Sequence, residues 1–132
     1  MNRKPFRVII AGSRSFSDYS MLAVHCDRML SRVSDRGVVV VSGHAFGADR
    51  MGEKYALERH YRIDRFIPDW SGQGKRAGII RNELMADNAD ALIAFWDGRS
   101  RGTAHMIECA KSKGLKVSVK MFEPDSYSGY RF

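Results

Sequence analysis

The residues best placed to do chemistry in this 132-residue chain fall in four short glycine-containing stretches. They read 12-GSRSFSD-18, 42-SGHAFGAD-49, 69-DWSGQGKRAG-78 and 97-DGRSRGT-103, and each follows a run of apolar or branched residues. Glycine lets backbone N–H groups approach an anion closely, Ser and Thr hydroxyls add donors, and the arginine fork matches a phosphate. Where such a turn opens a helix, the unpaired N–H groups of the first turn point at the same anion. The chemistry these stretches suggest is therefore anion binding, with phosphate the best fit. Taken singly each signal is weak, because none matches GxGxxG or the phosphate loop GxxxxGK[ST]. Their strength lies in shared placement.

Proton-transfer candidates are fewer. His44 lies inside the second stretch and is the best proton carrier by ordinary pKa, and His105 stands next to Gly102-Thr103. Asp49, Glu53, Asp69, Glu83 and Asp97 lie in or beside the four stretches. Asp49 opens a helix, where it can face the helix dipole, accept from a ribose hydroxyl or act in catalysis. Glu53 and Glu83, one turn into helices, read as solvated or salt-bridged, and Asp97 as a brace for Arg99 or Arg101. His25 and His60 fall on outer helix positions. Among the aromatics, Trp70 sits where it can either stack on a base or pack, and Trp96 reads as core. Phe16 and Phe46 can clamp a base or anchor their loops.

The elements that must position these residues are legible from periodicity. FRVIIAG (6–12), GVVVVSG (37–43) and ADALIAFWD (89–97) are short apolar runs of the kind found in strands buried on both faces. RIDRFIP (62–68) is a weaker strand ended by Pro68, and LKVSVKM (115–121) closes the series. Helices are expected over about 19–34, with Met21, Val24, Met29, Leu30 and Val33 inward, over 47–60, with Met51, Tyr55, Ala56 and Leu57 inward, over 78–88 and over 102–114. Strand and helix alternate throughout, which predicts an α/β fold: a Rossmann-like three-layer sandwich with a parallel five-stranded sheet and four or more helices. In such sheets ligands bind beyond the carboxyl ends of the strands, so all four stretches should converge on one crevice.

Composition narrows the partners. The chain carries 22 Lys and Arg against 15 Asp and Glu, a formal charge of +7, which favours anionic partners of any kind. No block of five or six like charges marks a dedicated nucleic-acid arm. No stretch approaches the roughly 18 apolar residues of a membrane span, and the N-terminal apolar run is too short for a signal peptide. Cys26 and Cys109 lack any zinc-type spacing, so no metal site is expected, and they read as buried thiols of a cytoplasmic protein. One domain is expected over 6–121, followed by a C-terminal tail, 122–132, without periodicity.

The ordered set GSRSFSD, SGHAFGAD with GEKYA, W-x3-G-K-x-A-G-x2-RN and FWDGRSRGT resembles the YspA-type branch of the SLOG superfamily, relatives of the LOG phosphoribohydrolases and of the DNA-processing protein DprA. The resemblance spans residues 6–121. It implies a Rossmann-like fold and a site for a nucleotide, or for a nucleotide-derived ligand of the NAD or ADP-ribose type, with no certain cofactor. Carried over by position, Gly12, Ser13 and Arg14 match the first motif, and Ser42, Gly43, Gly47, Ala48 and Asp49 the second. Lys75, Gly78, Arg81 and Asn82 match the third, and Gly98, Ser100, Arg101, Gly102 and Thr103 the fourth.

The LOG enzymes keep a glutamate three residues after the threonine of their fourth motif, and an arginine on the preceding helix to which Arg81 is similar in placement. Here that third residue is Met106, which neither takes nor gives a proton. Glu108 points about 160° away from Met106 at 100° per residue and cannot stand in. The expected function is thus binding of a nucleotide-type ligand, with Arg81, Asp49 and His44 the candidate catalytic groups should it be processed. The alternatives are a phosphoribohydrolase-like or other nucleotide hydrolase, and a single-stranded nucleic-acid binder. A homo-oligomer and no membrane contact complete the expectation.

Overall fold

The computed structural model describes residues 4–124, and most of the tail, 125–132, lies outside the described residues. Five strands, β1 (Phe6–Gly12), β2 (Val38–Ser42), β3 (Arg62–Arg65), β4 (Ala91–Trp96) and β5 (Lys116–Met121), form one sheet in the order β3-β2-β1-β4-β5. All four neighbouring pairs are parallel. The helices are α1 (Tyr19–Leu30), α2 (Ala48–Glu58), the short α3 (Trp70–Gln73), α4 (Ala77–Asp87) and α5 (Arg101–Ser112).

The centre of the sheet explains the layers. Successive residues of β1 point to opposite faces, so Val8 and Ile10 join the core under α1 and α2 while Ile9 and Ala11 join the core under α4 and α5. Val8, Ile9 and Ile10 are fully buried, each contributing about 1.5–3 kcal/mol relative to exposure. The result is the expected α/β, Rossmann-like sandwich. The chain reaches β2 and β3 on one side of β1, then crosses to β4 and β5 on the other, so the strand order reverses between β1 and β4.

Some expectations needed correction. On α1 the buried residues are Leu22, Cys26 and Leu30, four apart, whereas Val24 is exposed on the opposite side and Met29 is exposed at the helix end. The helix stops at Leu30, and a 3-10 turn, Ser34–Arg36, replaces its expected last turn. On α2 Leu57 is exposed, and Gly52 packs against Ile10 instead. His25, expected outward, is half-buried, with its ring edge on Phe95 and Nε2 3.1 Å from Ser118 Oγ. The stretch expected as a loop over 69–78 contains α3, where the Asp69 carboxylate caps the turn by accepting from Gly72 N. The tail begins attached, because Phe122 N donates to Trp96 O and its ring meets Phe16 edge-on.

Candidate functional site

At the carboxyl edge of the sheet, where the order reverses, a cleft of about 700 Å³ opens between the loop after β1, α4 and the start of α5. That volume lies within the usual range for small-molecule sites. The first loop contributes Gly12, Ser13 and Arg14, together with Ser15, and its glycine is forced by packing. A Cβ on Gly12 would run into the Phe95 carbonyl and the Ala48 side chain, so only glycine lets β1 pass so close to β4.

The fourth stretch closes the opposite wall. Ser100 is the N-cap of α5, and its hydroxyl is engaged elsewhere, donating to Ser13 Oγ at 2.8 Å, so among the described residues no side chain caps the helix. The first turn, with Arg101, Gly102 and Thr103, therefore presents its N–H groups at the cleft, and all three residues line it. Asp97 does not brace an arginine side chain. Its Oδ1 accepts from the backbone N–H of Arg99 and of Ser100, both at 2.8 Å, holding the turn that aims α5. Burial pushes the Asp97 carboxyl up, but these bonds outweigh it and hold it below the usual carboxylate range.

The third stretch supplies Lys75, Gly78, Arg81 and Asn82, with Trp70 and Ile79 beside them. Lys75, Arg14 and Arg101 are exposed arms, whereas Arg81 is fixed. Its Nη1 donates to Gly43 O at 2.9 Å and its Nε to Asn82 Oδ1 at 2.9 Å. The Asn82 amide nitrogen in turn meets Gly102 O at 3.3 Å and His105 Nδ1 at 3.1 Å, tying α4 to α5. Burial lowers the Arg81 pKa from its usual value, Asp49 works against that and Arg14 with it.

The second stretch behaves differently. Of its residues only Ala45 and Asp49 line the cleft. Ser42, Gly43, Gly47 and Ala48 lie beneath, as the floor on which the first loop and Arg81 rest. Gly47, at φ 83°, has the left-handed backbone that glycine accepts, and its bare Cα lies against the carbonyls of Ser13 and Arg14. Asp49, 4% exposed, accepts from Ala45 N at 3.3 Å. Burial pushes its carboxyl up to about 6, against the N–H groups of Ala45 and Gly12 and the Arg81 charge, which lower it.

His44 does not line the cleft. Its Nδ1 lies 2.8 Å from Glu53 Oε2, and that oxygen also accepts from Ser42 Oγ at 2.7 Å. Arg65 Nε takes the other Glu53 oxygen at 2.9 Å. Gly98, at φ 82°, forms the turn before α5 and is likewise outside the lining. Phe16 is buried against Phe95 and anchors its loop, while Phe46 is exposed under the Arg50 guanidinium. Trp96 is half-buried, donating from Nε1 to Ser100 O.

Met106 is 2% exposed and lines the cleft, so an apolar side chain occupies this place on α5, and Glu108 is exposed away from it. Ala11, Ser15, Ala45, Ile79 and Met85 also line the cleft, though no sequence reading picked them out. Ser15 and Ala45, each inside one of the glycine-containing stretches, and Ile79, following Gly78 at a helix start, had a positional signal. The others are apolar and carried none.

Comparison with known proteins agrees with this architecture. The chain superposes on DNA processing protein A (DprA) from Streptococcus pneumoniae with a TM-score of 0.68 at 18% identity, covering 98% of this chain and 62% of that one. DNA processing protein A from Helicobacter pylori, described for its single-stranded DNA binding mode, gives 0.65 at 22% identity, covering 88% and 65%. The chain thus spans somewhat under two thirds of each DprA chain. TM1055 gives 0.61 at 21% identity over 86% of this chain and 72% of its own. In sequence the chain is 37% identical over 117 residues to the Gene 61 protein of Mycobacterium phage D29, covering 84% of this chain and 93% of that protein. The model of YAcAr, the YspA, cpYpsA-related SLOG family, matches residues 6–72, which include the first two glycine stretches. This membership supports a ligand of the nucleotide or nucleic-acid class in general. The chain belongs to the YspA, cpYpsA-related SLOG family.

Proposed function

We propose that the protein binds a nucleotide or nucleotide-derived small molecule in the cleft at the carboxyl edge of its sheet. The phosphate is held by the first turn of α5, by Ser13 and Arg14, and by Arg81, with Lys75 and Arg101 closing from solvent. The observation that carries this reading is the uncapped start of α5 facing a fixed, half-buried Arg81 across one cleft. An anion there meets backbone donors and a guanidinium already in place, so little ordering cost attaches to its capture. Among the described residues no helix is long and apolar enough to cross a membrane. Cys26 and Cys109 are free, in keeping with a reducing cytoplasm.

Holding the ligand is favoured over cutting it. Cleavage of an N-glycosidic bond calls for a carboxylate at the reacting centre, and Met106 stands where the LOG enzymes keep theirs. Among the described residues Asp49 is the one buried carboxylate lining the cleft, which leaves hydrolysis as the second reading. Release of base or ribose phosphate from a nucleotide, abolished in Arg81→Ala, would establish it. The test of the binding reading is thermal stabilisation by a panel of mononucleotides, dinucleotides, NAD, ADP-ribose and cyclic nucleotides. A ligand at one hundred times its Kd stabilises by about 2.7 kcal/mol. Failure of the whole panel defeats the reading.

A nucleic-acid role draws on the charge of +7 and on the Helicobacter pylori relative. It requires oligonucleotide affinity that falls steeply with salt and a mononucleotide that does not compete. Self-association is proposed through the exposed Ile67 and Leu84 beside the cleft, and sedimentation velocity tests it.

A further inference from the structure

The two tryptophans contrast in how they are held. Trp96 is half-buried and its indole N–H is bonded to Ser100 O. Trp70 lines the cleft yet is 52% exposed, and among the described residues it has no ring or cation partner. Its backbone is nevertheless fixed, since the Asp69 carboxylate accepts from Gly72 N and from Ser71 Oγ, and Gln73 N bonds to Asp69 O. The indole edge stands over Gly78, where even an added Cβ would lie 3.5 Å away, and Ile79 beside it is also exposed. A large aromatic face is thus held open to solvent on a capped turn, in the same cleft as the phosphate cradle.

We infer that Trp70 is the base platform of the site: a nucleobase stacks on the indole, with Gly78 and Ile79 as the rest of that wall. Continuity with the cradle carries this assignment, because a 700 Å³ cleft far exceeds what a phosphate needs and, among the described residues, the one exposed aromatic lining it lies on the α3–α4 wall. The inference rests on the binding reading above and adds to it a discrimination. Phosphate donors alone hold a sugar phosphate and a nucleotide equally, whereas a stacking face favours the nucleotide by roughly tenfold and tolerates every base.

The experiment titrates AMP, GMP, CMP, UMP and ribose 5-phosphate into the full chain, following tryptophan emission and calorimetric affinity in the wild type, Trp70→Leu and Trp70→Phe. Quenching by the nucleoside monophosphates is expected in the wild type, with a roughly tenfold loss of their calorimetric affinity in Trp70→Leu, no change for ribose 5-phosphate, and near wild-type calorimetric affinity in Trp70→Phe, where Trp96 alone emits. Nucleotides that bind Trp70→Leu as tightly as the wild type overturn the platform while leaving the binding reading intact. An equal loss of nucleotide and sugar phosphate in Trp70→Leu assigns the indole a packing role and also overturns it. If none of the five ligands binds the wild type, the platform is overturned, while the binding reading is decided by the wider panel of dinucleotides, NAD, ADP-ribose and cyclic nucleotides.

Discussion

Asp49 and Glu53 stand one turn apart on α2, both nearly excluded from solvent, and their surroundings drive them in opposite directions. Glu53 is saturated: Ser42, His44 and Arg65 all bond its two oxygens, and although burial pushes its carboxyl up, those bonds hold it below the usual range. Asp49 receives only weaker help from backbone N–H groups and the Arg81 charge, so burial wins and lifts it to about 6. One helix therefore carries a carboxylate that holds the fold together and another that strains it. The first faces the floor and the second lines the cleft, which is where unspent electrostatic free energy belongs in a binding site.

The sharpest way to break this contrast is to remove Glu53. Glu53→Ala strands Arg65, His44 and Ser42, and it is expected to destabilise by about 2–3 kcal/mol, below the full cost of breaking a buried pair because the Arg65 side chain is 47% exposed. Urea unfolding measures it, and a loss under about 0.5 kcal/mol would show that the cluster is incidental.

Asp49→Asn should do the reverse. The folded pKa of Asp49 lies above that of the unfolded chain, so between about pH 4 and 6 the folded protein holds more protons and stability from this group falls as pH rises. The asparagine mimics the protonated acid, and a gain of about 1–2 kcal/mol is expected at pH 7.5, vanishing below about pH 4. Glu53 has the opposite sign, contributing stability above its unfolded pKa that is lost as pH falls through the folded one. Unfolding of Asp49→Asn and wild type from pH 4 to 8 separates the two.

The smallest effect concerns affinity. Protonating Asp49 removes a negative charge from the cleft lining, so a cyclic nucleotide, whose phosphodiester does not titrate in this range, should bind about three- to tenfold tighter at pH 5.5 than at pH 7.5. Asp49→Asn should flatten that dependence. A pH-dependent affinity that survives the substitution would remove Asp49 from the site.

The same contrast measures what a sequence reveals. FRVIIAG and ADALIAFWD declare buried central strands because both faces are apolar, and alternation with helices then fixes a parallel sheet and the edge where loops meet. Residues from all four glycine-containing stretches meet at one cleft. Periodicity could not tell which residues of the second stretch face the cleft, because Ser42, Gly43, Gly47 and Ala48 have the same composition as a lining yet serve as its floor. Glu53 read as an ordinary salt-bridged helix residue, and only the approach of His44 and Ser42 from β2 and its loop makes it a buried node. The short α3 was missed because a four-residue helix set by one Asp69 cap carries no period. On α1 the buried face includes Cys26, while the more apolar-looking Val24 lies outside it.

The most direct test of the central claim is an amide-resolved NMR titration of the full chain with the nucleoside phosphate panel. Saturable shifts are expected at Ser13, Arg14, Gly102 and Thr103, with the amides of Arg65 and its neighbours on β3 unmoved. No saturable shift with any ligand, or shifts centred away from the start of α5, would contradict the account.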